Sequence, residues 1–424
     1  MTNVIHLPRP MALRTAAPRL GHYLRVGRNE HKEIAYLLAE GERRYSGIVI
    51  DGHLAERHKE LKTEAEKLGL ETILDPKTHA TAFEGGFTDS LGELPWIGGK
   101  QSTLGDFIGS EGCRRAEQIA EFAAFNRFSA VLAPAHLVAS ANDPWLKADV
   151  HVAQHLRKDL DPSVALFFPL ALPLSVLRDP SSRAIILNEL RGLEMDALWL
   201  RVENYGNDAS GEKVRSFIEC VTHFHELNVP IVADFVAGIP ALSPLAFGAV
   251  GGISHGVMVF ESFRANHWKK PAEGNPRTPS HRVYFHELDL LLAPSQAQAL
   301  LAQSTRIRGQ HGCRDPQCCP KGPRDMFDHP VRHYLRQRAG EVASIGSVPQ
   351  AGRITFLMDS LVRPRSDAMA ALTGAGLTDN KLAVKIANKN KTLARVRTSL
   401  ANLAESFSPP SSTRVPLMPG QRSA

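Results

Sequence analysis

From about residue 20 to residue 260 the chain alternates between two hydrophobic patterns. Short continuous apolar runs, each closed by polar or turn residues, occur at 22–26 (HYLRV), 46–52 (SGIVIDG), 71–76 (ETILDP), 129–134 (SAVLAP), 164–169 (VALFFP), 197–203 (ALWLRVE), 229–235 (VPIVADF) and 252–260 (GISHGVMVF). Between them, apolar residues recur at helical spacing over 33–39, 54–68, 114–125, 145–156, 182–193 and 212–227. Strands that are apolar on both faces and alternate with helices belong to buried parallel sheets. Eight of them in about 240 residues predict an α/β fold of the closed (β/α)8 type, a TIM barrel. An open doubly wound sheet is the competing arrangement, but no G-x-G-x-x-G follows the first strand, so the main signal for a dinucleotide-binding sheet is missing.

The connection at 76–112, rich in glycine, is long enough to predict a lid or a substrate-binding wall. After residue 260 the pattern changes. A loop at 264–282 leads into a new element at HRVYFHELDLLL, a helix at 294–304 and a cysteine-rich segment. A further helix starts at Pro330 and runs to about Val342, with Asp328 as its N-cap. Residues 379–404 form an amphipathic helix, with Leu382, Ile386, Leu393, Val396, Leu400 and Leu403 on one side and Lys and Arg on the other. The predicted organisation is an N-terminal arm over 1–20, the barrel over 21–305, a zinc-binding segment over 306–345, a basic helical extension over 346–407 and a disordered tail over 408–424.

Composition narrows the class. With 43% apolar and 22% charged residues in 424, the chain is globular rather than disordered or fibrous. No apolar run approaches the length of about 18 residues that a membrane helix needs. The N-terminal stretch mixes Pro and Arg among its apolar residues, unlike a signal peptide, so a cytoplasmic protein with no membrane partner is expected. The net charge of +6 is unevenly placed: residues 1–300 carry 31 basic against 36 acidic side chains, 301–340 carry 8 against 3, and 361–424 carry 10 against 3. A basic C-terminal third on a slightly acidic body predicts a nucleic-acid partner, and leaves room for a homodimer.

In a barrel the chemistry sits where strands end. Those positions hold Asp51 and His53, Asp75 with Lys77 and His79, His136, Glu203 with Asn204 and Tyr205, Asp234, and His255 with Glu261. Each charged group on one rim must be solvated or paired, so their convergence points to a site. Asp234, after a buried strand, is the foremost carboxylate for nucleophile, general base or substrate anchor. Asp75, Asp51 and His255 are further catalytic candidates, and Glu203, His136 and His79 candidates for binding substrate. FGAVGGISHG at 247–256 places Gly251 and Gly252 where backbone amides can approach a phosphate or a base. Cys313, Cys318 and Cys319 lie within seven residues, with His311, His329 and His333 nearby. In a reducing compartment that set suits a tetrahedral structural Zn2+, with a redox thiol or inert cysteines as alternatives.

The order of these parts resembles the tRNA-guanine transglycosylase superfamily, zinc-bearing barrels that exchange a guanine in nucleic acid for a deazaguanine. The resemblance rests on eight strands followed by a cysteine cluster and a helix, with Cys313, Cys318, Cys319 and His333 in the place of the family's zinc ligands. It implies a glycosyltransferase, a structural Zn2+, a tRNA or DNA partner, Asp234 at the ribosyl centre and Asp75 handling the protons of the leaving base. The spacing C-x4-C-C, in place of C-x-C-x2-C, and the lack of an aspartate on the last strand depart from the family pattern. A barrel enzyme for a small metabolite, flavin- or metal-dependent, and an inactive nucleic-acid-binding barrel are the competing functions.

Overall fold

The computed structural model describes residues 19–270, 281–410 and 412–422; all but the last two residues of the expected N-terminal arm lie outside them. Eight parallel strands close into a barrel: β1 (Gly21–Val26), β2 (Gly47–Asp51), β3 (Glu71–Asp75), β4 (Ala130–Leu132), β5 (Ala165–Pro173), β6 (Ala197–Glu203), β7 (Ile231–Asp234) and β8 (Gly252–His255). β1 pairs with both β2 and β8, which excludes the open sheet. Because side chains alternate across a strand, Tyr23, Val49, Ile73, Phe167, Trp199 and Val232 fill the lumen as a core of their own. Their neighbours Leu24, Ile48, Ile50 and Leu198 face the surrounding helices. β8 stops at His255, short of the predicted residue 260, because Met258 and Phe260 adopt left-handed backbone that ends pairing.

The 76–112 connection is only partly a wall of the mouth. Trp96, Ile97 and Phe107 are buried in the main core, and Trp96 Nε1 donates to the Pro76 carbonyl at 2.9 Å, so this segment is fixed packing rather than a lid. Beyond the barrel, β9 (Val283–Phe285) and β10 (Leu290–Leu292) form an antiparallel hairpin that the sequence pattern left unspecified. The helix Pro330–Gly346 starts where expected, but His329, not Asp328, is its N-cap, and it runs past Val342. The helix Asn380–Ser406 buries all six of its predicted apolar residues. Its N-cap Asp379 accepts from the Leu382 N–H at 3.0 Å. No described helix is long and apolar enough to cross a membrane.

The C-terminal segment corrects the expectation of disorder. Residues 412–422 lie across the N-terminal mouth of the barrel and close it. Gly251, at that mouth, has no room for a side chain, since a Cβ would sit 1.8 Å from the Arg414 carbonyl oxygen. Gly251 therefore seats this segment, and Gly252 lies tight against Gly21 of β1, where a Cβ would sit 3.1 Å from the Gly21 carbonyl oxygen; both are at the opposite end of the barrel from the strand termini and are not placed to cradle a substrate. Inside the same mouth Glu71 points into the lumen opposite Gly47, where a Cβ would meet Glu71 at 2.5 Å. Glu71 is fully buried and accepts from Ser129 Oγ at 2.6 Å and from Arg422 Nη1 at 3.2 Å. Arg422 also lies 5.7 Å over the Phe167 ring.

Burial pushes the Glu71 carboxyl upward, with Arg422 opposing. Replacing Arg422 by Ala strands that carboxylate without a counter-charge and is expected to cost about 3 kcal/mol at neutral pH. A carboxyl raised on folding loses stability as pH climbs through its folded value, so the loss should shrink near pH 4, where Glu71 is protonated. Urea unfolding of Arg422→Ala and wild type at both pH values measures this; an equal loss at both would show that Glu71 is not the group left unpaired.

Candidate active site and metal centre

Lumen-facing positions at the C-terminal ends of β1, β3, β6 and β7 carry Arg25, Asp75, Arg201 and Asp234, all buried. Arg25 grips Asp234 with two hydrogen bonds, Nε to Oδ1 at 2.7 Å and Nη2 to Oδ2 at 2.6 Å, and reaches Asp75 Oδ2 through Nη1 at 2.9 Å. Arg201 completes the rung, with Nε to Asp234 Oδ2 at 2.9 Å and Nη2 to Asp75 Oδ2 at 3.1 Å. Two cations and two anions thus span the lumen with no net charge. The Arg25 guanidinium lies 4.3 Å, and that of Arg201 5.6 Å, from the centroid of the Phe235 ring. Burial alone would raise both carboxyls, yet the two arginines outweigh it and hold Asp75 well below, and Asp234 below, the usual carboxylate range.

Two imidazoles flank this rung. His136 donates through Nδ1 to Asp149 Oδ1 at 2.6 Å, and its backbone N–H donates to Asp149 Oδ2 at 2.8 Å. The ring stacks on Trp145 at 3.9 Å. The hydrogen bond to Asp149 fixes the tautomer and leaves Nε2 as an acceptor, the arrangement a general base requires. His79 packs on Trp268 at 4.4 Å, and burial holds it neutral despite the nearby Asp75. The Nε2 atoms of both rings are buried without a partner among the described residues. Over the mouth, Phe263, Ala265 and Trp268 pack with Phe83, Leu137 and Phe235. Glu203, two residues past Arg201 on the same face of β6, anchors this cover from the rim by accepting from the Ala265 N–H at 3.1 Å. Among the described residues, five of the eight non-glycine residues with left-handed backbone, Lys77, Asn204, Phe235, Met258 and Phe260, follow β3, β6, β7 and β8 at this mouth; such strain concentrates where function over-determines the backbone.

Asp51 lies at the rim, 3.3 Å from Lys77 Nζ and about one-fifth exposed. His255 is displaced from the predicted site. It alternates with the lumen-facing Ser254, so its ring lies outside the barrel wall, 2.8 Å from His22 Nε2 and 3.3 Å from Tyr334 Oη. There it joins a second buried ionic cluster. Arg338 bonds Asp289 at 2.9 Å, Glu341 at 3.0 Å and Glu261 at 3.2 Å, Arg365 bonds Glu341, and Lys389 reaches Asp289 at 3.5 Å. Part of the expected basic charge, Arg338 and Arg365, is therefore spent inside the fold. Among the described residues Arg306, Arg308, Arg314 and Lys321, all exposed, have no ion-pair partner.

The cysteine segment gathers four residues that could hold a metal ion. Cys313, Cys318, Cys319 and His333 bring one donor atom each to within 4.8 Å of one another. Cys318 and Cys319 lie 3.3 and 3.4 Å from His333 Nδ1, and their sulfurs are 3.9 Å apart. Tetrahedral zinc, with bonds of about 2.3 Å to sulfur and about 2.0 Å to nitrogen, sets its ligand atoms about 3.5 to 3.8 Å apart, so the donors fit. The other ring nitrogen of His333 donates to the Tyr284 carbonyl at 2.9 Å, which leaves Nδ1 free to ligate. With four protein donors and three of the four residues buried, the cluster could hold a metal ion.

The comparisons with known proteins assign no family. No family model matches the chain, and no curated protein does. Similar solved structures include a GH18 chitinase from Pseudoalteromonas aurantia (14% identity, TM-score 0.37, 58% of this chain and 97% of that one). A type I 3-dehydroquinate dehydratase from Clostridium difficile (11%, TM-score 0.35, 59% and 89%) and a thiamine phosphate pyrophosphorylase from Pyrococcus furiosus (11%, TM-score 0.30, 59% and 91%) are likewise similar. The closed ring of eight parallel strands makes the chain a TIM barrel, with a helical extension and a Cys3His cluster.

Sequence reading missed Arg25, Arg201, Asp149 and Trp268. An arginine inside the apolar runs HYLRV and ALWLRVE was the available signal for the first two. Carboxyls held low on folding contribute stability that is complete above the unfolded aspartate value of about 3.9 and is lost as pH falls below it. Asp75→Asn is expected to cost about 3 kcal/mol at pH 7, with the gap to wild type narrowing as pH falls below about 4, where the unfolded chain takes up the proton that the rung keeps off Asp75. Parallel stability curves over that range would rule out an ionised Asp75 in the rung.

Proposed function

We propose that the protein is a barrel enzyme acting on a nucleobase at its N-glycosidic bond in nucleic acid, with the C-terminal mouth as active site and Zn2+ in the Cys3His centre. The observation that carries this reading is the Arg–Asp rung beneath an aromatic cover. A guanine edge offers O6 and N7 as acceptors to an arginine and its ring and amino N–H groups as donors to a carboxylate. Paired guanidinium and carboxylate groups present the complementary pattern, and the flat face of the base suits Phe235 and Trp268. In this reading Arg25 and Arg201 keep Asp75 and Asp234 ionised until a base edge takes over an arginine contact; Asp234 then bonds the ribosyl C1′ as the bond from C1′ to N9 of the departing guanine breaks, that guanine takes a proton from water, and the incoming guanine gives its N9 proton to His136, oriented by Asp149, as its N9 displaces Asp234 from C1′. When bound, the metal braces the helix Pro330–Gly346 through His333; it takes no part in the exchange.

The test is transfer of labelled guanine into tRNA and into duplex DNA by the full chain. Asp234→Asn should reduce transfer by about a hundredfold or more while nucleic-acid binding changes less than about twofold. No transfer to either nucleic acid, together with no effect of guanine on the melting temperature, would overturn the reading. Full pairing of Asp75 and Asp234 favours a second one, a binding barrel without chemistry, which predicts nucleic-acid affinity but no transfer by any form.

The partner surface has its own test. Arg306, Arg308, Arg314 and Lys321 are assigned to phosphate contacts, so replacing all four with Ala should lower the slope of log affinity against log salt by about 3 to 4 on duplex DNA. An unchanged slope would remove this face from the interface.

A further inference from the structure

We infer that Cys113, His151 and His155 form a second metal site, independent of the Cys3His centre and of the proposed reaction. Cys113 lies on the helix Gly109–Phe125, and both histidines lie on Pro144–Asp159. The histidines stand four residues apart, so they share one helix face, and the packing of the two helices carries Cys113 to that face. One donor atom from each residue falls within 4.8 Å of the others. Cys113 Sγ is 3.9 Å from His151 Nε2, a few tenths of an ångström beyond the spacing of about 3.5 Å between sulfur and nitrogen ligands of tetrahedral zinc. All three residues are partly exposed, so rotation of the side chains can close that gap without moving backbone. The competing contact is weak: His151 Nε2 lies 3.3 Å from the Gly109 carbonyl.

The donor set defines the ion. One thiolate and two imidazoles with no carboxylate suit Zn2+, Co2+ and similar borderline divalent cations, and disfavour Mg2+ and Ca2+. Three protein ligands also leave a fourth position for water or an exogenous ligand. The Cys3His set, by contrast, supplies four ligands and is closed. The second site should therefore exchange its metal readily while the first retains it.

Binding deprotonates the Cys113 thiol, forms the metal–sulfur bond and releases one proton to solvent. The test is Co2+ titration of the full chain after dialysis against a mild chelator that spares the closed centre. Wild type should take up about one more equivalent than Cys113→Ser, with a thiolate-to-cobalt charge-transfer band that the variant lacks. His155→Ala should bind Co2+ at least about tenfold more weakly. As a readout that needs no variant, Co2+ should slow alkylation of Cys113 at least about tenfold. Equal uptake and equal spectra in wild type and Cys113→Ser, or an alkylation rate indifferent to Co2+, would overturn the site.

Discussion

Four charges removed from water inside the barrel have to stay together. An isolated ion of the size of a carboxylate or guanidinium costs several kcal/mol to bury, and only close, well-oriented partners repay that cost. Arg25, Asp75, Arg201 and Asp234 meet the condition because β1, β3, β6 and β7 aim lumen-facing positions at one level, where each carboxylate accepts from both arginines. The geometry is mutual: no member can leave without stranding the others. The strand ends, and the loops that follow them, are tied to this rung.

The other mouth obeys the same constraint with a different supplier. Glu71 faces the lumen without a basic residue on a neighbouring strand, and its counter-charge comes from Arg422, near the far end of the chain. Between the two ionic ends lies an aromatic layer, with Trp199 against Phe167 and Tyr23. The lumen is thus an apolar plug held between two salt-bridged ends, and closing its lower end requires the C-terminal segment to cross the barrel floor. The extension is fastened by a third cluster, in which Arg338 joins Glu261 of the mouth to Glu341 and Asp289. His333, five residues before Arg338 on the same helix, faces the cysteines. The Cys3His cluster and the Arg338 network therefore share one helix.

How far the sequence discloses this depends on the range of the interactions. The eight strands were legible because apolar runs report burial directly, and the Cys3His set because three of its donors lie within one turn of chain. The helix Asn380–Ser406 was legible from its period. What escaped was set by distance in sequence. Asp149 reads as one polar residue in a helix until His136 is placed beside it. Gly251 reads as a phosphate cradle until Arg414 is found against it. His255 reads as a rim residue unless strand alternation is followed, which puts Ser254 inside and His255 outside. The basic C-terminal third was correct as a count, but a count cannot tell Arg338 and Arg422, which neutralise buried acids, from Arg314 and Lys321, which face water.

The same saturation that stabilises the rung constrains any chemistry at the mouth. A carboxylate gripped at both oxygens by guanidinium groups is a weak base and a weak nucleophile, since each hydrogen bond to the charged form favours keeping it. Asp234 can react only if part of that grip is transferred to an incoming group able to accept from arginine. A ligand carrying acceptors on one edge and donors on the next does this without leaving a buried charge unpaired, whereas an apolar ligand would displace the pairing and replace nothing. Under the proposed function, that requirement would select planar polar substrates on electrostatic grounds alone, and would tie activation of the carboxylate to arrival of the substrate, so that the unliganded barrel would be held inert by the interaction that keeps it folded.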